Sequence, residues 1–438
     1  MSKLVILFVT AFVDMVGLTM IVPLLPYYAT DFGADAATVG LLISAFSVAQ
    51  LAVSPVWGRV SDRYGRRPAI LAGLLITASA YVLFAFAGSV PALLMARLVQ
   101  GIGGGTIGVV QAYVADVSSP EQRTKSLGWL SAITSLGAVA GPAVGSLLVS
   151  LGGLEFVGLG AAGIALLVAL FAWGYLSESR RLPTTAEHPA GRTTGRAAIA
   201  RVLSRWHEPA PRLIWIYAVG IGAFYGTIQI VPLLLADRLG VTERTVGYFV
   251  MYMGGMGVVV RALVLGRAVD ALGEARLARL GIVVLAAGLA ATGTGQSGWA
   301  LAAGFTLMPL GTAFLFPCIT GLLSQTVPSR ERGLYMGVQH TFGGVSRVAF
   351  PIAAGLLIDR FGTGVPFWLA GALVLATLPL TRSIGRRLEP ELPSAEALQI
   401  AAADITGEMP VPAAAHPGPP PGAADPHPSA GRRGAPRA

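Results

Sequence analysis

The stretch 58-GRVSDRYGRRPA-69 carries five charged residues, Arg59, Asp62, Arg63, Arg66 and Arg67. It lies between two long apolar runs, 39-VGLLISAFSVAQLAVSPVW-57 and 69-AILAGLLITASAYVLFAFAG-88. A run of about twenty apolar residues, wound as a helix, crosses a bilayer core of about 30 Å. The charged stretch therefore reads as a short loop between two membrane spans. Working outward, the same alternation continues through a chain that is 54% hydrophobic and only 12% charged. A mean hydropathy of +0.68 over 438 residues is too high for a soluble domain, which needs about half its residues as polar surface. Twelve spans are expected, at 4–29, 38–57, 69–88, 91–115, 125–150, 154–176, 211–236, 244–265, 277–296, 299–325, 333–358 and 364–381. The first runs on as a full span with no small-residue cleavage site, so it reads as a helix and not a signal peptide. Lipid offers no partner to an open strand edge, so the spans are expected to be helices.

Charge placement orients the chain. With a cytoplasmic amino terminus, 25 of the 31 basic residues fall on the cytoplasmic side. Only Arg238, Arg244 and Arg360 fall outside, and Arg97, Arg261 and Arg347 lie within spans. That asymmetry follows the positive-inside rule and places both termini in the cytoplasm, with the spans in the cell (inner or plasma) membrane. The net charge of +9 then reflects topology and anionic lipid, with no nucleic-acid partner implied. The single cysteine, Cys318, excludes a disulfide framework.

The chain repeats itself. The run 21-IVPLL-25 recurs as 230-IVPLL-234 at an offset of 209; Gly58, Asp62 and Gly65 recur as Gly266, Asp270 and Gly273 at 208. Arg123, Gly128 and Pro142 recur as Arg332, Gly337 and Pro351, again at 209. The expected organisation is a six-helix bundle at 1–177, a cytoplasmic linker at 178–210 and a second six-helix bundle at 211–383. A Pro/Ala-rich tail at 384–438 is expected to be disordered, because it has too little to bury. In the linker, Ile199, Val202, Leu203 and Trp206 fall at helical spacing with Arg201 and Arg205 opposite, as in a short helix lying on the membrane surface. Parallel repeats of this kind place a substrate site between the halves, near the midplane.

Together the repeat and the charged loop resemble the major facilitator superfamily, and within it the twelve-helix drug:proton antiporters, over residues 1–382. The loop matches the family signature at Gly58, Asp62, Arg63, Gly65, Arg66 and Arg67, and an eroded copy, 266-GRAVDALGEAR-276, keeps Asp270. A second signature matches 97-RLVQGIGGG-105. A third, the helix-5 antiporter pattern, matches 137-GAVAGPAVGS-146 at Gly137, Gly141, Pro142 and Gly145, departing only at Ser146, where the family usually has glycine. The resemblance implies two pseudo-symmetric six-helix bundles that rock about a central cavity. It also implies that Asp62 latches the cytoplasmic side against the start of the eleventh helix; the alternative is that the arginines only fix topology.

Asp14 is the one acid deep within a span. An ionised carboxylate there is costly unless paired, so such residues usually face a cavity or serve a proton path. The resemblance gives Asp14 a proton-coupling role; the alternative is a structural ion pair. Arg97 is expected to be buried, either coupling protons or holding helices together. Arg347, His340, Gln100 and Gln229 are candidates for the substrate cavity, whereas Arg261, near a span end, is expected to snorkel. The glycine runs follow no strand and precede no P-loop lysine, so they read as surfaces for close helix packing. No paired intramembrane carboxylates, HExxH or Cys/His cluster points to an enzyme, a metal or a cofactor. The expected function is therefore proton-driven export of amphipathic small molecules by a monomer. An anionic or metabolite substrate is the alternative, then an uptake symporter or a membrane receptor. The ninth helix lacks the acid that tetracycline exporters usually carry, and the eighth has Arg261 in place of their histidine, which argues against tetracycline itself.

Overall fold

The computed structural model describes residues 3–119, 122–178, 195–328 and 331–381. Linker residues 179–194 and the tail expected from 384 lie outside the described residues. The first half comprises α1 (Lys3–Ile21), α2 (Leu25–Asp31), α3 (Ala36–Tyr64), α4 (Arg66–Ala85), α5 (Val90–Gly104), α6 (Ile107–Val117) and α7 (Arg123–Tyr175). A short α8 (Gly195–Ser204) precedes the second half. That half comprises α9 (Pro209–Ile228), α10 (Val231–Leu239), α11 (Val246–Leu263), α12 (Leu265–Leu272), α13 (Glu274–Thr294), α14 (Gly298–Thr326), α15 (Arg332–Phe361) and α16 (Val365–Ala376). No strand occurs among the described residues. Among the described residues, nine helical segments are long and apolar enough to cross a membrane, ten if α9 and α10, bent by 43°, form one span. At 1.5 Å per residue, a straight helix of the 53 residues of α7 would run to about 80 Å. It is two helices meeting at a kink, where Gly152 leaves helical geometry and Gly153 takes φ 74°.

The sequence repeat reappears as a repeated helix break. At 21-IVPLL-25, α1 stops at Ile21 and α2 starts with Pro26 in its first turn. At 230-IVPLL-234, α9 stops at Ile228 and α10 starts with Pro232 in its first turn. Proline has no N–H to donate and its ring clashes with the preceding turn, so it ends one helix and suits the start of the next. The span expected at 91–115 is also broken, between Gly104 and Ile107. There Trp57 Nε1 donates to the Ile102 carbonyl at 2.7 Å, and a Cβ at Gly105 would stand 2.8 Å from the same ring.

Glycines set the helix spacing. A side chain at Gly101 would collide with the Phe46 carbonyl and one at Gly103 with Thr77, so the 101-GIGGG-105 run lets α5 lie directly on α3 and α4. Gly137, Gly141 and Gly145 form one stripe at i, i+4, i+8, and Cβ atoms there would strike the Phe12, Val16 and Met20 carbonyls of α1. The helix-5 pattern is thus the seat of the helix that carries Asp14. Beside it, Leu7, Trp57, Ile70, Val109, Tyr113 and Leu130 form a buried apolar cluster.

Two antiparallel helix pairs join the halves. Along α3 and α15, Asp359 accepts from Ala36 N at 3.0 Å and from Ala37 N at 2.8 Å, and Ser44 Oγ donates to the Val348 carbonyl at 2.7 Å. A Cβ at Gly40 would overlap the Pro351 carbonyl, and one at Gly344 would stand 2.7 Å from Leu51. Beyond Leu51 the pair separates: Gly58, Gly333 and Gly337 have open space where a Cβ would be. Along α7 and α11, Ser146 Oγ donates to the Glu243 carbonyl at 2.8 Å and accepts from Gly247 N at 2.9 Å. Tyr27 Oη adds a bond to the Val241 carbonyl at 2.9 Å. These contacts gather at the end of the bundle away from the 58–69 loop.

Candidate functional site

A cavity of about 400 Å³ lies between the halves. Met15, Leu18, Val22, Phe46, Gln50 and Arg97 line it from the first half; Tyr225, Gln229, Met253, Arg261 and Arg347 line it from the second. Among the described residues of its wall there are three arginines and no acid. Arg97 is buried at 2% exposure. Its Nη1 donates to Gln100 Oε1 at 2.6 Å, its Nε reaches the Leu42 carbonyl at 3.4 Å, and its guanidinium lies 5.0 Å from the Phe46 ring centroid. Arg347 stands 5.9 Å from the Tyr225 ring centroid, with its buried Nε unpartnered.

Asp14 faces a different cavity, about 620 Å³, enclosed by the first half alone. Thr10, Thr106, Gln111, Ser131 and Thr134 share its wall. Met15 and Ile107 line both cavities, so a single layer of side chains divides them. Asp14 forms no ion pair among the described residues.

Of the residues expected at the substrate cavity, Gln229 and Arg347 line the cavity between the halves; Arg97, expected to be buried for proton coupling or helix packing, is buried and lines it as well. Gln100 is buried behind Arg97 as its acceptor. His340 is exposed, edge-on to Tyr217 at 6.2 Å between ring centroids, and is not among the residues lining the central cavity. Arg261, expected to snorkel, instead lines the cavity. Four residues had been missed: Ser146, Tyr27, Asp359 and Arg261 as a lining group. The signal for Ser146 was its departure from the glycine pattern; that for Asp359 was its place one turn from the end of a helix antiparallel to α3.

The charged loop is held within its own half. Gly65, at φ 107°, ends α3 and starts α4. Glu178 accepts from Arg66 N at 2.9 Å and Arg67 N at 3.1 Å, capping the new helix. Arg66 pairs with Asp62 at 2.7 Å and Asp116 at 3.2 Å. Arg67 lies 5.8 Å from the Trp173 ring centroid and Arg63 5.4 Å from that of Tyr64. The Asp62 side chain is 70% exposed and its ion pair stays within the first half; Asp270 is exposed in the second copy.

A duplicated bundle of membrane-length helices, joined at one end around a cavity, is the architecture of a multi-pass membrane transporter. The Major Facilitator Superfamily model matches residues 7–264 and 257–407, and the chain belongs to that superfamily. It is 29% identical over 390 residues to multidrug resistance protein 2 of Bacillus subtilis (strain 168), covering 86% of this chain and 94% of that one. It is 27% identical over 372 residues to the class B tetracycline resistance protein of Escherichia coli, covering 84% and 90%. Among solved structures, the human organic anion transporter MFSD10 (TETRAN) superposes with a TM-score of 0.64 at 23% identity, covering 86% and 98%, a likeness of fold. The relatives are membrane transporters, not enzymes.

Proposed function

We propose that the chain is a proton-coupled secondary antiporter that exports amphipathic small molecules by alternating access. In this reading it works as a monomer of twelve spans in the cell membrane, with both termini cytoplasmic. The carrying observation is the position of Asp14: the one carboxylate among the described residues lining a mostly apolar cavity that also presents Thr10, Gln111, Ser131 and Thr134, one residue layer from the cavity between the halves. Protonation removes the cost of holding that charge at membrane depth, and helix α1 relays the change because Gly137, Gly141 and Gly145 seat it against α7. The relatives named for multidrug and tetracycline resistance support efflux as the direction.

The inter-half bonds at one end support a state open toward the 58–69 loop, the cytoplasmic side in this topology. In the opposite state Asp62 caps α15. The observed α3–α15 register, continued past Leu51 and Gly344, brings Asp62 opposite Arg332, where the first turn leaves N–H groups unpaired. Asp62 and the Gly58 face then do at one end what Asp359 does at the other.

Purified protein in liposomes with an internal pH dye and an imposed proton gradient tests this. A panel of cationic, neutral and anionic amphiphiles should contain compounds that dissipate the gradient with the wild type and not with Asp14→Asn. Substrate flux without proton movement, or proton-coupled flux that survives Asp14→Asn, removes Asp14 from the coupling role.

A further inference from the structure

Resting on the transporter reading above, we infer that the central cavity takes amphipathic organic anions, with Arg261 on α11 and Arg347 on α15 as the receptors for the anionic group. The wall carries Arg97, Arg261 and Arg347 and, among its described residues, no carboxylate. Arg97 is already committed to Gln100, the Leu42 carbonyl and the Phe46 face. Arg261 has no such contact, and Arg347 has the Tyr225 ring face but no hydrogen-bond acceptor among the described residues. Arg261 is exposed and forms no hydrogen bond or ion pair among the described residues. Arg347 holds a buried Nε with no acceptor. An unmet buried donor such as Arg347 Nε is costly, and exposed Arg261 adds a second positive charge on the same wall, so a carboxylate or a sulfonate that accepts N–H bonds there is favoured. Asp14 does not serve as the counter-ion, because it lines the neighbouring cavity and not this one.

The rest of the wall selects the ligand's body. Met15, Leu18 and Val22 of the first half and Val250 and Met253 of the second are apolar, and Tyr225 and Phe46 offer ring faces. A volume of about 400 Å³ suits a compound of one to three rings. Both free arginines belong to the second half, while much of the apolar wall belongs to the first, so one ligand bridges the two bodies that must move past each other.

The test separates binding from transport. Full-length protein in detergent is titrated with 2-naphthoate, 2-naphthamide and 2-naphthylmethylammonium, which share a ring system and differ in charge. Naphthoate should bind at least about tenfold tighter than either, because only its carboxylate offers charge-assisted hydrogen bonds to the arginines. Arg261→Ala and Arg347→Ala should each lose about tenfold for naphthoate alone, and Arg347→Lys should recover part of it. Equal binding of the three probes by wild type overturns the inference, whatever the variants do. So does a preference for naphthoate that persists in a folded double variant. Displacement of naphthoate by added phosphatidylglycerol would identify a lipid headgroup as the anion, and its failure a soluble one; both keep the anion site. Flux of the bound anion without proton movement would overturn antiport and leave the anion inference standing.

Discussion

At the scale of single residues, function here depends on which polar groups are left unmet. Arg97 is the most deeply buried charge among the described residues, and its hydrogen bonds to Gln100 and the Leu42 carbonyl tie it to its own half, so it belongs to the frame of the cavity. Arg261 and Arg347 lack such partners and face the same space. Ser146 makes the opposite use of a polar atom: its hydroxyl is fully buried and bridges Glu243 and Gly247 of the other half. Glycine, which the family pattern favours at this position, would leave Gly247 N without that acceptor. Ser146→Gly and Ser146→Ala should therefore cost about 1–3 kcal/mol of the inter-half contact. Melting of the detergent-solubilised protein should fall by a few degrees. Labelling of a cysteine placed at Glu243 should rise, in a background freed of Cys318. Unchanged labelling would mean that the hydroxyl does not hold this end shut.

At the scale of elements, the sequence announces hydrophobic length well and helix continuity poorly. The spans expected at 38–57, 69–88 and 277–296 appear in α3, α4 and α13. The stretch 58–69, expected as a loop, is instead helical on both sides of Gly65, because charged residues at the membrane surface continue a helix that only the positive-φ glycine breaks. The break between α5 and α6 was not legible, since it depends on Trp57 of a different helix reaching the Ile102 carbonyl. Nor was the placement of Arg261, because distance from a span end says nothing about which side faces a cavity. A helix at α8 was legible from spacing, but its face was not: it ends at Ser204, before Trp206, and it buries Ala198 and Val202 while Leu203 and Trp206 are exposed. Nor was what fastens it: Glu208 accepts from Arg201 at 2.6 Å and Arg205 at 3.2 Å. The hydrogen bond from Arg201 holds the Glu208 carboxyl below its ordinary value. A carboxylate favoured in the folded state stabilises above the ordinary value, and that contribution is lost as pH falls through the lowered one. Hydrogen exchange of residues 195–204 should thus stay protected from pH 7 to about 5 and weaken below about 4. Glu208→Gln should expose the segment at every pH; protection independent of both pH and the substitution would dismiss the clamp.

At the scale of the whole molecule, the two ends of the α3–α15 pair carry like groups. Each helix runs antiparallel to the other, and each carries a carboxylate near its carboxyl end, Asp62 on α3 and Asp359 on α15. Asp359 caps the start of α3 with two hydrogen bonds, whereas Asp62 remains exposed in its own half. A rigid pair of helices about 45 Å long, at 1.5 Å per residue, cannot close at both ends around a cavity. The two caps should therefore exclude each other. Cysteine pairs report this directly in a Cys318→Ala background. Ser44→Cys with Val348→Cys samples the closed end, where Ser44 Oγ sits 2.7 Å from the Val348 carbonyl. Gly58→Cys with Gly337→Cys samples the open end, since these residues fall in register with no neighbour at either Cβ position. Disulfides need Cα atoms within about 7 Å, so each pair should cross-link in one state only. A molecule bearing all four cysteines should form one bridge or the other. Asp359→Asn, which weakens the existing cap, should raise the 58–337 bridge severalfold and lower the 44–348 bridge; Asp62→Asn should do the reverse. Both bridges in one molecule, or an Asp359→Asn variant with unchanged yields, would show that the carboxylates are not what holds the two ends in opposition.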